Sequence, residues 1–427
     1  MNSPPPSKAT AEPALALVGG PAVVTTPLPT IRNATGRLIG EEEEKLVIEV
    51  IRSGTLAYIY GDKVRRFETE FARLHGRQHG VAVSSGTAAL HTALIYLDPE
   101  PGDEVIVSSI TDMGSVIPIL YQGAVPVFAD VDPATQNMDP RSLEALVSPR
   151  TRAIMVTHIY GNPADMDPIL ALARRHNLLV IEDCAQAHLA RYRGRLVGTL
   201  GDLGCYSFQQ SKHITTGDGG MVIANEDARF GRRLRECFDK GWPRHKPGRD
   251  HLFLAPNYHM TELQAAVGLA QLTKYQACLS GRRRAAAQLD GLLAGEPAVE
   301  PVAVRPDCEA VYFHYCFRLR PELSAVGAAQ FATALAAEGV PCEHGYPGPI
   351  PLYLYPVIRD RRTFGKSGWP FTSPPARKEW HYPPGTCPVA ERLCQETVVL
   401  PWNERLQPAH VGAIATAIRK VARAYRA

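Results

Sequence analysis

From about Phe67 to Asp227 the chain alternates two hydrophobic rhythms. Short apolar runs in "GVAVSS" (Gly80 to Ser85), "DEVIVSS", "VPVFADV", "TRAIMVTHIYG", "NLLVIEDCAQ" and "DLGCYSFQ" predict strands, most of them rich in β-branched side chains. Between them, stretches such as "GTAALHTALIYL" and "DPILALARRH" carry helical spacing. Strands that are apolar throughout and separated by helices form a mainly parallel sheet covered on both faces. Ligands of such sheets bind where the loops leave the C-terminal strand ends. Ser84–Thr87, Asp183–Gln186 and Ser207–Lys212 all fall there.

After about Leu272 the pattern changes. Ala-rich helical sequence leads into an alternating strand at "YFHYCFRLR", then a helix at "GAAQFATALAAEGV" and a last amphipathic helix. This predicts a disordered tail over 1–16, a large α/β domain with an N-terminal arm over 17–275, and a smaller α+β domain over 276–427. The segment from Pro341 to Pro388 has too many prolines for regular structure and too many aromatics for a linker, so it reads as an ordered loop near a site. Tyr346, Tyr353 and Trp369 there either line a pocket or pack.

Composition narrows the function. A formal charge of +3 with 21% charged residues argues against a nucleic-acid surface, and the basic patch from Gly231 to Asp250 also contains acids. The nine cysteines have no C-x-x-C pair, which fits reduced thiols better than disulfides or a metal site. With no run of eighteen apolar residues and no signal-peptide pattern, the expectation is a cytoplasmic protein without a membrane span.

Four stretches carry the chemistry. In "SSGTAALH", Gly86 and Thr87 stand at a strand-to-helix turn, a phosphate site or an N-cap. "VIEDCAQAH" ends a strand with Glu182 and Asp183; a buried carboxylate there stabilises a cation or caps a helix. Gln186 can donate to a phenolate, while His188 is equally well a structural histidine. In "SFQQSKHITTGDGG", Ser207 can hold a phosphate and Lys212 can form an imine with a carbonyl, which requires a depressed lysine pKa. Asn257 in "PNYHMTELQAA" is a polar candidate or a turn residue. A phosphate cradle, an acid for a pyridine nitrogen, an oxygen donor and an imine lysine are together the parts of a pyridoxal 5'-phosphate site.

These stretches, with "GAVPVFADVD" and "NYHMTELQAAVGLAQL", resemble the DegT/DnrJ/EryC1/StrS sugar and cyclitol aminotransferases from about Val18 to Leu272 and more loosely to the C-terminus. The resemblance implies an aspartate aminotransferase-like fold of type I and a homodimer with active sites at the interface. It implies Lys212 as the Schiff-base lysine, Asp183 under the pyridine nitrogen, and Gln186 on the ring oxygen. Gly86, Thr87 and Ser207 become phosphate ligands, and Asn257 reaches the phosphate of the neighbouring subunit. Two departures stand out: Asp112 occupies the place of a ring-stacking aromatic, and His259 replaces a common arginine. The resemblance further implies transfer of an amino group from L-glutamine or L-glutamate to a keto-cyclitol or a nucleotide-linked keto-sugar, in natural-product or amino-sugar biosynthesis. A dehydratase or decarboxylase on the same cofactor, motivated by Asp112, and a non-catalytic regulatory homologue are the alternatives.

Overall fold

The computed structural model describes residues 14–224, 233–372 and 380–427; residues 1–13 of the expected tail lie outside the described residues. Helices α1 (Glu41–Ser53) and α2 (Lys63–Leu74) precede the sheet, and α1 opens with four glutamates whose charge complements its N-terminal dipole. Next come β1 (His79–Val83), α3 (Gly86–Leu97), β2 (Glu104–Ser108), α4 (Met113–Tyr121), β3 (Val125–Ala129), β4 (Thr151–Thr157), α5 (Met166–Arg175) and β5 (Leu179–Asp183). A surface hairpin, β6 (Arg191–Tyr192) and β7 (Arg195–Leu196), leads to β8 (Leu203–Ser207) and β9 (Gly220–Ala224).

The central sheet has seven strands in the order β1-β9-β8-β5-β4-β2-β3. Five of them, β2, β3, β4, β5 and β8, pair in parallel, as the apolar runs predict. Strand β9 runs antiparallel to both β8 and β1. The reason lies in the connection. A parallel return needs a crossover, usually a helix, whereas Phe208–Gly219 forms no helix and turns straight back, pairing Ser207 with Gly220. Lys212 is therefore carried on a loop at the same edge as the C-terminal ends of the parallel strands.

A short helix, α6 (Leu234–Phe238), precedes the long helix α7 (Glu262–Leu293), whose start is fixed by a Thr261–Gln264 capping box. Beyond it, β10 (Val299–Pro301), β12 (His314–Leu319), β13 (Glu343–His344) and β14 (Thr397–Pro401) form an antiparallel sheet in the order β10-β12-β14-β13, while β11 (Cys308–Glu309) joins the β6–β7 hairpin. Helices α8 (Ala328–Ala337), α9 (Pro356–Arg359), α10 (Pro388–Glu396) and α11 (Pro408–Ala424) complete the chain.

Two apolar cores result. One is built on the seven-stranded sheet; the other joins the small sheet to α8, α11 and the end of α7 through Phe317, Phe331 and Trp402. Two backbone bonds, Val311 N–H to Gly161 O (2.9 Å) and Phe313 N–H to Tyr160 O (2.7 Å), pin the entry to β12 against the end of β4. The small sheet thereby delivers Phe313 and His314 to the rim of the large one. All nine cysteines are free thiols. No helix among the described residues is long and apolar enough to cross a membrane.

Candidate active site

At the end of β1 the capping role falls to Ser85, whose Oγ accepts from Ala88 N–H at 3.0 Å. Gly86 and Thr87 are thus the first residues of α3, at its positive end. A Cβ on Gly86 would lie 2.6 Å from Ser207 Cβ and 3.0 Å from its Oγ. The glycine is what lets the turn approach β8 this closely. Gly220 is equally constrained, since a Cβ there would lie 2.2 Å from Ser85 O. On the other side Thr87 Oγ1 would meet a Cβ on Gly114 at 2.8 Å, so the N-termini of α3 and α4 converge. Three candidates from two separate stretches, Gly86, Thr87 and Ser207, therefore meet at one corner beside the N-terminus of α3.

Alternation along β5 divides its two acids. Glu182 points away from this corner and accepts from Gly198 N–H (2.7 Å), Leu200 N–H (2.7 Å), Gly201 N–H (2.6 Å) and His158 Nε2 (3.0 Å). His158 Nδ1 accepts from Ala164 N–H, so this His–Glu pair beside Cys184 is occupied by structural bonds and offers a metal little. Asp183 points the other way. Its Oδ1 accepts from Ala185 N–H at 3.0 Å and its Oδ2 from Ser115 Oγ at 2.7 Å. No helix starts at Asp183, so it is not an N-cap. Since Ser115 gives its proton to the carboxylate, it accepts from Thr111 (2.8 Å), which accepts in turn from Thr157 (2.9 Å). Burial raises the Asp183 pKa, against the lowering pull of Ser115, Ala185 and Lys212. Such a carboxylate gains most from a cation placed beside it.

The orientation of Gln186 is set by its neighbours. Its Oε1 accepts from Tyr160 N–H at 2.8 Å, so the amide nitrogen faces the cleft and donates to Tyr346 Oη at 2.6 Å. Tyr160 holds a positive φ of 58° and donates its own hydroxyl to Gln136 at 3.0 Å.

Lys212 is half-buried, and its Nζ lies 4.1 Å from the centre of the Phe313 ring. Burial lowers its pKa, while Asp112 and then Asp183 raise it. Its backbone is held on both sides. Lys212 N–H donates to Gln209 O at 2.9 Å, and Arg37 Nη1 donates to Lys212 O at 2.6 Å. Arg37 is itself buried against Glu404, which also pairs with Arg282 at 3.0 Å, and Arg282 donates to the carbonyls of Tyr312, Phe313 and Trp402.

Asp112 caps α4, its Oδ1 accepting from Gly114 N–H at 2.8 Å, and it is exposed. Asn257 is not part of the cluster in one copy of the chain. It is exposed, on a segment whose Tyr258 carbonyl accepts from Ser84 N–H at 2.9 Å. His259 pairs with Asp239 at 2.9 Å, an acid also held by Arg244, Lys240 and Tyr58. His188 and His213 are buried with ring centres 5.2 Å apart, and burial keeps both neutral. Of the three candidate aromatics from the proline-rich segment, Tyr346 alone bonds to a site candidate, Gln186. Tyr353 is buried against Phe128 and Trp369 lies against Gly123.

Sequence reasoning missed Ser115, Tyr160, Arg37, Phe313 and His314. Tyr160 follows the end of β4, so the same strand-end rule covers it. Ser115 sits three residues after Asp112 in the first turn of α4. Nothing in the sequence marks Arg37, whose contact with Lys212 spans 175 residues.

The sequence and the fold both match known proteins. Residues 37–373 match the model of the DegT/DnrJ/EryC1/StrS aminotransferase family. The chain is 43% identical over 301 residues, 70% of its length and 79% of the relative's, to GDP-perosamine synthase of Caulobacter vibrioides. It is 41% identical over 341 residues, 76% of its length and 78% of the relative's, to L-glutamine:2-deoxy-scyllo-inosose aminotransferase of Streptomyces lividus. Among solved structures, S. venezuelae DesV in complex with a ketimine intermediate superposes with a TM-score of 0.78 and 31% identity, covering 89% of this chain and 94% of that one. With that match over most of its length and a fold shared with pyridoxal phosphate enzymes, the chain belongs to the DegT/DnrJ/EryC1/StrS aminotransferase family.

Proposed function

We propose that this aminotransferase takes the amino group of L-glutamine or L-glutamate and passes it to a keto-sugar or keto-cyclitol, with Lys212 as its catalytic lysine. The observation that carries this is the meeting of Gly86, Ser207, Asp183, Gln186 and Lys212 at neighbouring strand ends. The residues fit pyridoxal phosphate. A side chain on Gly86 would fill the phosphate corner, and Asp183 is a buried carboxyl whose raised pKa a protonated ring nitrogen would relieve.

When bound, the cofactor supplies an aldehyde that condenses with amines and a ring that draws electrons from the adjoining carbon. Gly86, Thr87 and Ser207 hold its phosphate through helix N–H groups and hydroxyls. Asp183 keeps a proton on the ring nitrogen. Ser115 fixes one oxygen of that carboxylate and thereby its direction. Gln186, its amide orientation already set by Tyr160, donates to the ring oxygen. Lys212 Nζ is the base that takes the substrate's proton and the acid that returns it. Burial lowers its pKa, which eases loss of the proton that the amine must shed before it can act as a base.

Exposure of Leu252, Leu254 and Tyr60, at 54%, 94% and 80%, supports a second copy of the chain covering this face, with Asn257 completing the partner's phosphate site. The two relatives named above act on a nucleotide-linked sugar and on a cyclitol, as their names state, and support both acceptor classes.

The test is the visible absorption of the purified protein, titrated with L-glutamine and then L-glutamate. The band of lysine-bound cofactor should bleach with donor and return with a keto-cyclitol or a nucleotide-linked keto-sugar, and be missing in Lys212→Ala. A bound cofactor that ignores both donors would overturn the transamination reading in favour of elimination or decarboxylation.

A further inference from the structure

A cavity of about 330 Å3 opens between α7, β12 and the turn that follows β4, at the low end of the size range of small-molecule pockets. None of Gly86, Thr87, Asp183, Gln186, Ser207 and Lys212 lines it. Tyr160, Tyr312 and Tyr315 line it together with Asp290 and Asn162; apart from His314, the rest of the lining is small and apolar. Two of the three phenols are already engaged. Tyr160 donates to Gln136 at 3.0 Å and Tyr315 to Asp290 at 2.6 Å, so both offer a ligand ring surface and not a donor. The rings of Tyr312 and Tyr315 lie nearly parallel, 6.4 Å apart with 17° between their planes. Tyr312 is held there. Its φ of 51°, which bulky residues rarely adopt, is fixed by the backbone bonds of Val311 and Phe313 on either side and by Arg282 on its own carbonyl at 3.1 Å.

The polar groups left over are acceptors. Asn162 is 4% exposed; its amide nitrogen donates to Ala303 O at 2.9 Å, while its Oδ1 is buried with no hydrogen-bond partner. A buried acceptor without a donor is destabilising and is rare in folded proteins. Asp290 accepts from Tyr315 and has no ion-pair partner among the described residues. Arg283, whose field reaches Tyr312, is engaged with Glu309 (3.4 Å) and with Ala310 O (2.9 Å). Burial raises the Asp290 pKa, as expected of a carboxylate that lacks a cation.

Aromatic faces beside such a carboxylate attract an organic cation, and the lone Asn162 oxygen needs a second donor. A protonated amine on a hydroxylated ring supplies both. An α-amino acid does not fit, because no Lys or Arg lines the cavity to hold its carboxylate and burial keeps His314 neutral.

We propose that this cavity is a second, non-catalytic site that binds a protonated amine carried on a hydroxylated ring. Asp290 is its counter-charge, the Tyr312 ring its cation–π face and Asn162 Oδ1 the acceptor for a ring hydroxyl. Amination of a keto-sugar or keto-cyclitol yields compounds of this class. That link rests on the proposed function; the site itself does not.

The test is isothermal titration of the full-length protein, as purified with its cofactor, using D-glucosamine and D-glucose at about pH 6.5, below the usual range of α-amino groups. D-Glucosamine should bind without changing the visible absorption, and saturating L-glutamine should leave its affinity unchanged. D-Glucose, which differs in lacking the ammonium, should bind at least about tenfold more weakly. Asp290→Asn still accepts from Tyr315 and should weaken D-glucosamine by about tenfold or more. Tyr312→Leu should weaken it by about two- to tenfold, while Tyr312→Phe, which keeps the ring, should match the wild type. Far-ultraviolet dichroism identical to the wild type confirms that each variant is folded. No binding below about 10 mM overturns the proposal. So does equal affinity for D-glucose, an affinity that Asp290→Asn leaves unchanged, or loss of binding in the presence of L-glutamine. Failure of L-glutamine to bleach the visible band would instead count against the transamination reading and leave this site standing.

Discussion

Replacing Glu404 with Gln tests whether a buried ion triad holds the lysine loop. Glu404 stands between Arg37 (3.7 Å) and Arg282 (3.0 Å), and all three side chains are at most 1% exposed. The two guanidinium groups spend other donors on carbonyls, Arg37 on Lys212 and His213, Arg282 on Tyr312, Phe313 and Trp402. Glu404→Gln keeps the shape and removes the charge, leaving two buried cations facing a neutral amide. Breaking a buried pair from one side costs about 3–5 kcal/mol. Unfolding entropy of about 2.1 cal/mol/K per residue, over 427 residues, gives about 0.9 kcal/mol per kelvin, so Tm should fall by about 3–6 °C. Arg37→Met should cost less, about 1–3 kcal/mol, because Glu404 retains Arg282 and the main loss is the partner of Lys212 O. Differential scanning calorimetry at matched protein concentration measures both. A Tm change under about 1 °C in Glu404→Gln, or a larger loss in Arg37→Met, would refute the electrostatic reasoning.

Gly86→Ala should weaken cofactor binding by about five- to 150-fold, from about 1–3 kcal/mol of overpacking against Ser207, with far-ultraviolet dichroism unchanged; equilibrium titration with pyridoxal phosphate measures it. Ser115→Ala removes a bond that lowers the Asp183 pKa, so that pKa should rise and kcat should fall more than KM changes; steady-state kinetics across pH check this. Burial pushes His75 down to about 4 and His314 to about 3, from an unfolded value of 6.5. Between those values the unfolded chain binds more protons, so each histidine's contribution is complete above pH 6.5 and is lost on acidification at about 1.4 kcal/mol per pH unit. The urea midpoint should be lower at about pH 5 than at about pH 7, and His75→Gln should flatten the difference.

What the sequence determined by itself was the large sheet and the identity of the chemistry. The apolar runs mark β1 to β5 and β8, because a strand buried on both faces needs apolar residues throughout. That Gly86, Asp183, Gln186, Ser207 and Lys212 lie at neighbouring strand ends was legible because strand-end position and residue type are local properties. Tertiary structure decided the rest. The antiparallel return of β9 depends on a connection too irregular to cross over, which apolar patterning does not register. That Glu182 serves the fold while Asp183 faces the cleft follows from the side of the sheet on which each falls. Arg37, Phe313, His314 and Tyr346 reach Lys212 and Gln186 from distant parts of the chain, and long-range contacts leave no local periodicity. The charge state of Lys212 is the clearest case. Its residue type is written in the sequence, but its pKa is set by burial against Phe313 and by the fields of Asp112 and Asp183, and only the folded chain brings these together.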